Sequence, residues 1–178
     1  MEPLRGNDIR QQNEKLVLKI IHKSSGISQS EVVQLTGLKP PTVFRIFSSL
    51  ESEGLIEVYD KQVEESEKKG RRPVFYRVKA DARYIVGIDF WVGLATIVVV
   101  DFAGNPIHES VTEFPTPLDA GQVVEELKQL TEAALGDSGV DREKVIGIGV
   151  GAPGRVDIEK GVVLYYGRIP GMKNFSIK

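Results

Sequence analysis

The residue types that could do chemistry in the first part of this chain are cationic and polar. The segment KKGRR, residues 68–72, places four cations around one glycine. Clustered Lys and Arg bind phosphate through ion pairs and hydrogen bonds, as proteins do along a nucleic-acid backbone. Thr42 and Arg45 lie on one side of a predicted helix, where such side chains can reach the edges of bases. This set predicts nucleic-acid binding. For KKGRR the alternative is a solvated charged loop, because an acidic run precedes it.

The residues that could bind a nucleotide lie in the second half, at an aspartate and at spaced glycines. Asp89 stands near the end of a predicted strand, shortly before a tight turn. An aspartate beside a turn of small residues can assist magnesium while main-chain amides hold phosphate. Residues 147–151 repeat glycine at every second position, which lets amides approach a pyrophosphate. That dinucleotide motif must turn directly into a helix. Residues 153–155 instead begin a second turn and a strand pair, so we reject it.

Composition excludes several classes of site. The chain has no cysteine and two histidines, His22 and His108, so disulfides, thiolate catalysis and cysteine-ligated zinc are excluded. No metal site and no catalytic residue is predicted. A hydrophobic content of 41% is enough for a globular core. No apolar run approaches the roughly 20 residues that span a bilayer, and the start MEPLRGNDIRQQNEK is polar. We therefore expect no signal peptide, no membrane contact and a cytoplasmic location.

Charge divides the chain into unlike halves. Residues 1–80 carry 14 Lys and Arg against 11 Asp and Glu, whereas residues 81–178 carry 9 against 14. The basic excess is a weak indication of nucleic-acid binding, because a solvated charged face gives a similar count. We predict two domains with these boundaries.

Three helices are predicted in the first half. Residues 7–24 form an amphipathic helix with Ile9, Leu16, Ile20 and neighbouring aliphatics on its apolar side. Ser28 and Glu31 have the spacing of a capping box. They begin a short second helix that stops at Gly37. A third helix follows, with Pro in its first turn and an i, i+3, i+4, i+7 stripe of apolar residues: Val43, Ile46, Phe47 and Leu50.

The second and third helices form a helix-turn-helix, and two strands complete a winged helix. LIEVYD (55–60) and PVFYRVKA (73–80) are strand-like, and the basic segment lies in the loop between them. The third helix can lie in the DNA major groove, and the wing can follow the backbone or enter the minor groove. The predicted DNA-binding residues are Ser28, Gln29, Lys39, Pro41, Thr42, Arg45, Lys69, Gly70, Arg71 and Arg72.

The second half predicts the beginning of an α/β lobe. YIVGIDF, LATIVVVDF and NPIHESVTEF are strand-like and joined by short connections, which is typical of an antiparallel meander. A helix over 118–136 and a buried strand within 142–154 follow. The order β-β-β-α-β is that of an actin-like, ribonuclease H-like lobe, so the fold class is α/β with an N-terminal winged helix-turn-helix.

Residues 13–79, with TGLKPPTVFRIFSSLESEGLIE and GRRPVFYRV, resemble the DNA-binding domain of the ROK family of sugar-responsive repressors and sugar kinases. The resemblance is to the repressor branch, because the family's kinases lack this domain. It implies a homodimer that binds double-stranded operator DNA and regulates genes of sugar metabolism or transport. A protein-interaction module is an alternative use of a winged helix.

IGIGVGAPGRVDIEKGVVLYYGRIPGMKN, residues 146–174, is similar to the sugar-side segment of the same family. The resemblance implies a sugar effector bound at the loop of Gly151, Pro153 and Gly154. Glycines that thin a buried strand for close packing are the alternative. The chain stops before the family's catalytic aspartate, zinc motif and second lobe, so the resemblance implies either a fragment or a shortened gene product with a partial ROK domain at 81–178.

The turn after Asp89 differs from the phosphate hairpin of the family's kinases, which is of the Asp-x-Gly-Gly-Thr type. Here Phe90, Trp91 and Val92 precede Gly93, and two aromatics are predicted to block the approach of main-chain amides to phosphate. Asp89 is then a structural carboxylate rather than a magnesium assistant. We predict no cofactor in this chain and no enzymatic activity. The alternative is a ROK-type sugar kinase with an appended DNA-binding domain.

Overall fold

The computed structural model describes residues 6–60 and 73–177, with side chains from Asp8 onward. The chain forms two compact units, Met1–Ala82 and Arg83–Lys178. Within the described residues, no helix has the length and apolar character needed to cross a membrane. Helices and strands occur in both units, and the predicted α/β class is confirmed.

The first unit combines three helices with a small sheet. Its elements are α1 (Gly6–Lys23), β1 (Ile27–Ser28), α2 (Gln29–Thr36), α3 (Pro40–Ser52), β2 (Ile56–Tyr59) and β3 (Phe75–Val78). The sheet is antiparallel with the order β1-β3-β2. The helices and the β2–β3 pair were predicted from the sequence. The two-residue strand β1 was not, because the same residues also begin α2.

The capping box at the start of α2 is confirmed. The Ser28 hydroxyl accepts from the Glu31 amide, and the Glu31 carboxylate accepts from the Ser28 amide at 2.7 Å. The helix ends at Gly37, whose φ of 68° lies in the left-handed region that glycine adopts without steric cost. Together these ends fix the length of α2 and the turn that leads into α3.

The apolar side of α3 is buried as predicted, and it packs against the sheet. Val43, Ile46, Phe47 and Leu50 are all within the core. The Phe47 ring meets the Tyr76 ring of β3 edge to face, with centroids 5.0 Å apart. Edge-to-face aromatic pairs add to the stabilisation that burial alone provides. This contact joins the third helix to the hairpin.

The predicted core face of α1 was wrong in its details. Val17 and Ile21 are fully buried, whereas Ile9 is 47% and Leu16 is 44% exposed. Five of the six residues from 16 to 21 are apolar, the exception being Lys19, so the helical period permits more than one buried face. The packing of α1 on the rest of the unit selects the face that contains Val17 and Ile21.

The second unit contains two sheets and one long helix. Its elements are β4 (Tyr84–Trp91), β5 (Leu94–Asp101), β6 (Pro106–Glu113), α4 (Ala120–Ser138), β7 (Val145–Gly151), β8 (Arg155–Asp157), β9 (Val162–Tyr165) and β10 (Phe175–Ser176). The larger sheet has the order β6-β5-β4-β7, and the smaller has β10-β9-β8. The first three strands form an antiparallel meander, and β7 runs parallel to β4. The predicted order β-β-β-α-β is confirmed.

One face of the larger sheet packs against α4. Val86, Ile88 and Phe90 of β4 alternate with exposed or half-buried residues, as in a strand with one buried face. They share a core with α4 through Val123 and Leu127. The predicted apolar stripe of α4 is therefore confirmed.

The prediction that β7 is a buried strand was wrong. It lies at the end of the larger sheet, and Ile146, Ile148 and Val150 are between 41% and 56% exposed. A parallel strand normally reads as a near-continuous apolar run because both its faces are covered. In this chain the apolar run is present, but α4 and the core lie over the other strands. The glycines of β7 therefore do not thin a buried strand.

The capping box predicts a stability effect specific to one hydroxyl. Ser28→Ala should lower the free energy of unfolding by about 1 kcal/mol, because the Glu31 amide loses its acceptor. Urea-induced unfolding followed by far-ultraviolet circular dichroism measures the difference. Ser48→Ala is the matched control, since Ser48 is exposed on α3, and it should change stability by less than about 0.5 kcal/mol. Equal effects of the two substitutions would contradict the role of the cap.

Candidate nucleic-acid interface and ligand loop

The burial of one side of α3 leaves a defined outer face. We use this term for Pro41, Phe44, Arg45 and Ser48, all of which are exposed. They lie three or four residues apart, so they are neighbours on the helix surface. The outer face lies opposite the buried stripe and is open to a ligand along the first half of the helix.

Arg45 also lines a groove between α1 and α3. Thr42 and Ser49 border it from α3, and Arg10 and Asn13 border it from α1. Among the described residues, Arg45 forms no salt bridge, so its guanidinium is available to an external acceptor. The predicted pair Thr42 and Arg45 is therefore brought to one surface, to which α1 adds a cation, Arg10, and an acidic residue, Glu14.

The predicted residues at the start of α2 have structural partners. The Ser28 side chain is only 4% exposed, and its hydroxyl belongs to the capping box. Gln29 is half-buried, and its side chain hydrogen-bonds Tyr76. Burial raises the pKa of Tyr76, the Glu51 carboxylate adds to the increase, and the Gln29 bond opposes it. Both residues thus position α2 and β3, whereas their contact with DNA stays a prediction.

The other predicted residues divide between the start of α3 and the wing. Lys39 is the N-cap residue of α3, makes no side-chain cap bond and is exposed, as Pro41 is. The wing residues lie outside the described part of the chain: Lys69, Gly70, Arg71 and Arg72. Their DNA contacts stay predictions from the sequence.

Arg77 holds together the two strands that lead to the wing. Its guanidinium lies 2.7 Å from the Glu57 carboxylate on the opposite strand, and 4.8 Å from the centre of the Tyr59 ring. Glu57 and Arg77 are directly paired in the sheet register. This cation is therefore engaged across the hairpin rather than presented to a ligand.

Sequence reasoning missed Phe44 and Ser48 of the outer face. Phe44 is 61% exposed, although every other large apolar residue of α3 is buried. A helical projection of residues 40–52 separates both residues from the stripe of Val43, Phe47 and Leu50. That projection can be drawn from the sequence. An exposed aromatic carries no charge, however, so it was not recognised as a residue that could contact nucleic acid.

At the turn between β4 and β5, the prediction that Phe90 helps to block the approach of phosphate was wrong. Phe90 is 1% exposed, because the alternation of β4 directs it into the core with Val86 and Ile88. Only Trp91 and Val92 are exposed at the turn. Gly93 closes it with a φ of 74°, a conformation that other residues adopt at a steric cost.

Asp89 is exposed on the same side of β4 as Trp91. The Trp91 indole nitrogen donates a hydrogen bond to the Asp89 carboxylate at 3.3 Å. Within the part of the chain that the structure describes, no three His, Asp or Glu side chains cluster closely enough to hold a metal ion. The carboxylate thus has a neutral donor as its partner, and its role as a structural aspartate stays a prediction.

The predicted sugar residues lie together in the turn from β7 to β8. Gly151 is paired with Asp89, and a Cβ at Gly151 would stand 2.6 Å from the Asp89 Oδ1 atom. Pro153 is buried. Gly154 has a φ of 89°, and a Cβ there would overlap the carbonyl oxygen of Tyr165. The backbone therefore requires glycine at 154, whatever the turn binds.

The comparisons with known proteins agree for both units. Residues 10–57 match the family of winged helix-turn-helix DNA-binding domains. The xylose repressor of Caldicellulosiruptor bescii is 33% identical over 156 residues, which are 88% of this chain and 38% of that protein. The xylose repressor of Bacillus subtilis is 27% identical over 163 residues, 87% of this chain and 39% of its own length. The chain thus spans about two fifths of the relatives' length.

A solved structure shows the same fold. The crystal structure of a ROK family transcriptional regulator, a homolog of the E. coli MLC protein, matches with a TM-score of 0.69 and 23% identity. The match covers 94% of this chain and 41% of that regulator. The fold of the described residues is therefore that of the corresponding part of the regulator.

The geometry at Gly154 predicts that replacing this glycine by alanine costs more stability than the same substitution at Gly139. Gly139→Ala should cost about 1 kcal/mol of stability, because its φ of 65° is left-handed but the space around it is open. Gly154→Ala should cost at least about 1–3 kcal/mol more, since the methyl group also overlaps the Tyr165 carbonyl. Urea unfolding followed by the fluorescence of Trp91, the single tryptophan, reports on the second unit. Equal costs would contradict the close contact.

Proposed function

We propose that this chain, which is similar to xylose repressors and shares the fold of a ROK family transcriptional regulator, is a sequence-specific DNA-binding repressor of that family. The single observation that carries the proposal is the outer face of α3. It is exposed and contains an arginine with no salt bridge among the described residues. It lies on the second helix of a domain that matches the winged helix-turn-helix family. In that arrangement the second helix enters the major groove and its N-terminal residues contact base edges.

The structure supports a division of labour within the first unit. Arg45 is the base-reading residue, because an arginine can donate two parallel hydrogen bonds to the N7 and O6 atoms of guanine. Lys39 at the start of α3 binds backbone phosphate, and Thr42 supports the same contact from the groove side. The capping box fixes α2, and the Phe47–Tyr76 contact fixes α3. The reading residues are thereby held on a rigid element.

We propose that the wing adds a contact that does not depend on sequence. Residues 68–72 carry four cations, and the strands that lead to them are joined by the Arg77–Glu57 bridge. Arginine is favoured in a narrow minor groove because the potential there is strongly negative. One recognition helix contacts only a few base pairs, which is too short a sequence to be specific. A symmetric dimer would place two such helices on half-sites about one helical turn of DNA apart. A repressor of chromosomal genes works in the cytoplasm.

For the second unit we propose a sensing role without catalysis. The relatives are named xylose repressors, which favours a sugar as the effector and genes of sugar metabolism or transport as targets. The effector would meet the turn of Gly151, Pro153 and Gly154. Catalysis is disfavoured at the β4–β5 turn, because Trp91 and Val92 stand where a phosphate hairpin carries small residues, and the Trp91 indole engages Asp89. No cofactor is part of this proposal.

Two sets of substitutions separate base reading from backbone binding. Arg45→Ala should cost about 1 to 3 kcal/mol on the preferred duplex and much less on random DNA, because a base contact is lost. The double variant Arg71→Ala and Arg72→Ala should weaken binding to both duplexes alike. It should also make the plot of log affinity against log salt shallower by roughly one to two units. Fluorescence anisotropy at several salt concentrations measures both.

Lys19→Ala is the control for these titrations, since Lys19 is an exposed cation of α1 away from the outer face. It should leave both the affinity and the salt slope nearly unchanged. If Arg45→Ala and Lys19→Ala behave alike, α3 is not the reading element. If the chain binds no duplex at any salt concentration, the proposed function itself is wrong and a protein-interaction module becomes the better interpretation.

The β4–β5 turn predicts how this chain responds to magnesium-ATP. Calorimetry should detect no binding by the unaltered chain. Trp91→Gly with Val92→Gly should produce weak, measurable binding, because it opens the approach to the amides and releases the Asp89 carboxylate. Phe90 is kept, since it is buried and its loss would cost about 3–5 kcal/mol. Tight ATP binding by the unaltered chain would support the kinase alternative.

A further inference from the structure

We propose that Phe44 is a specificity-determining residue that contacts the methyl group of a thymine in the major groove. The inference rests on the proposed function and adds to it the chemistry of one base position. Arg45 would select guanine through hydrogen bonds, and Phe44 would select thymine through an apolar contact. The preferred half-site would then contain a thymine close to the guanine that Arg45 reads.

No contact among the described residues of the first unit explains the exposure of Phe44. Its side chain is 61% exposed, whereas Ile46, Phe47 and Leu50 on the same helix are 6% exposed or less. Pro41 and Ser48, its neighbours one turn away on either side, are exposed as well. Phe44 therefore exposes a large apolar surface to water, and that surface contributes little hydrophobic stabilisation to the fold. Burying that surface against a ligand would recover the lost hydrophobic stabilisation.

The position of Phe44 agrees with a base contact. It is the fifth residue of a thirteen-residue helix, and Arg45 follows directly. Long side chains on a helix lean toward its N-terminus, which brings Phe44 to the end that approaches base edges. Among the base edges of the major groove, thymine alone presents a methyl group, and apolar side chains including Phe contact it.

The charges around Phe44 favour DNA over a protein as the occupant of this surface. Lys39 lies one turn before it, and Arg45 lies beside it, both exposed. Of the acidic residues nearby, Glu51 lies two turns further toward the C-terminus, beside Tyr76, and Glu14 lies on α1 across the groove that Arg45 lines. An apolar group flanked by two cations fits a ligand that combines negative phosphates with methyl groups.

The test replaces single thymines by deoxyuridine, which removes the methyl group and leaves the base pairing intact. The 178-residue chain first selects its preferred duplex from a random library. Each thymine of that duplex is then replaced in turn, and the affinity is measured. One thymine per half-site should show a loss of about three- to fivefold, the effect of exposing one methyl-sized group. Phe44→Ala should bind the thymine and deoxyuridine duplexes equally well, and Phe44→Leu should keep part of the difference.

Leu16→Ala is the matched control, because Leu16 is an exposed apolar residue of α1. It should keep the full sensitivity to deoxyuridine. Thermal unfolding of Phe44→Ala should equal that of the unaltered chain, which excludes a folding defect. The proposal is overturned if no replacement weakens the unaltered chain, or if Phe44→Ala remains as sensitive as the unaltered chain at every thymine. Absence of any selected duplex would instead refute the proposed function.

Discussion

The contact between Phe47 of α3 and Tyr76 of β3 is the constraint on which the first unit depends. It holds the third helix against the hairpin and, with Val43, Ile46 and Leu50, uses one side of that helix for the core. The radial positions of side chains around a helix are fixed, so burial of one stripe determines what the opposite side presents. The outer face of α3 is therefore a consequence of the core. A change in the core that rotated α3 would also change which residues meet a ligand.

In the second unit, the burial of one side chain likewise determines which side chains are exposed at the β4–β5 turn. Here the period is the two-residue repeat of a strand. Because side chains alternate across a sheet, the burial of Phe90 directs Asp89 and Trp91 to the other side together. The indole then reaches the carboxylate. A shift of the register by one residue would instead place Phe90 at the surface and turn Asp89 and Trp91 together toward the core. The parallel pairing of β4 with β7 also brings Gly151 beside Asp89, so the β4–β5 turn and the β7–β8 turn lie at the same end of the larger sheet.

Sequence reasoning succeeded where the signal is local. The capping box of Ser28 and Glu31, the stripe of α3 and the meander of the second unit follow from spacings of a few residues, and the structure contains all three. It failed where the answer depends on distant parts of the chain. The buried face of α1 depends on what packs against it, and the exposure of β7 depends on how far α4 covers the sheet. The prediction that Phe90 obstructs the β4–β5 turn was wrong for another reason. The alternation of apolar side chains along β4 can be read from the sequence, but it was not extended to the last residues of the strand.

The residues proposed to contact DNA differ in how they respond to salt. The wing cations and Lys39 would act through phosphate, and such contacts weaken as salt rises because they release counterions. An apolar contact between Phe44 and a methyl group releases no ions, and it depends on the base rather than on the backbone. Affinity for any duplex and preference for one duplex therefore rest on different side chains of the same unit. Because 61% of its side chain is exposed in the free chain, Phe44 would gain most of its burial only in the complex. Under the proposal that gain depends on the presence of a methyl group, so the residue would discriminate between sequences.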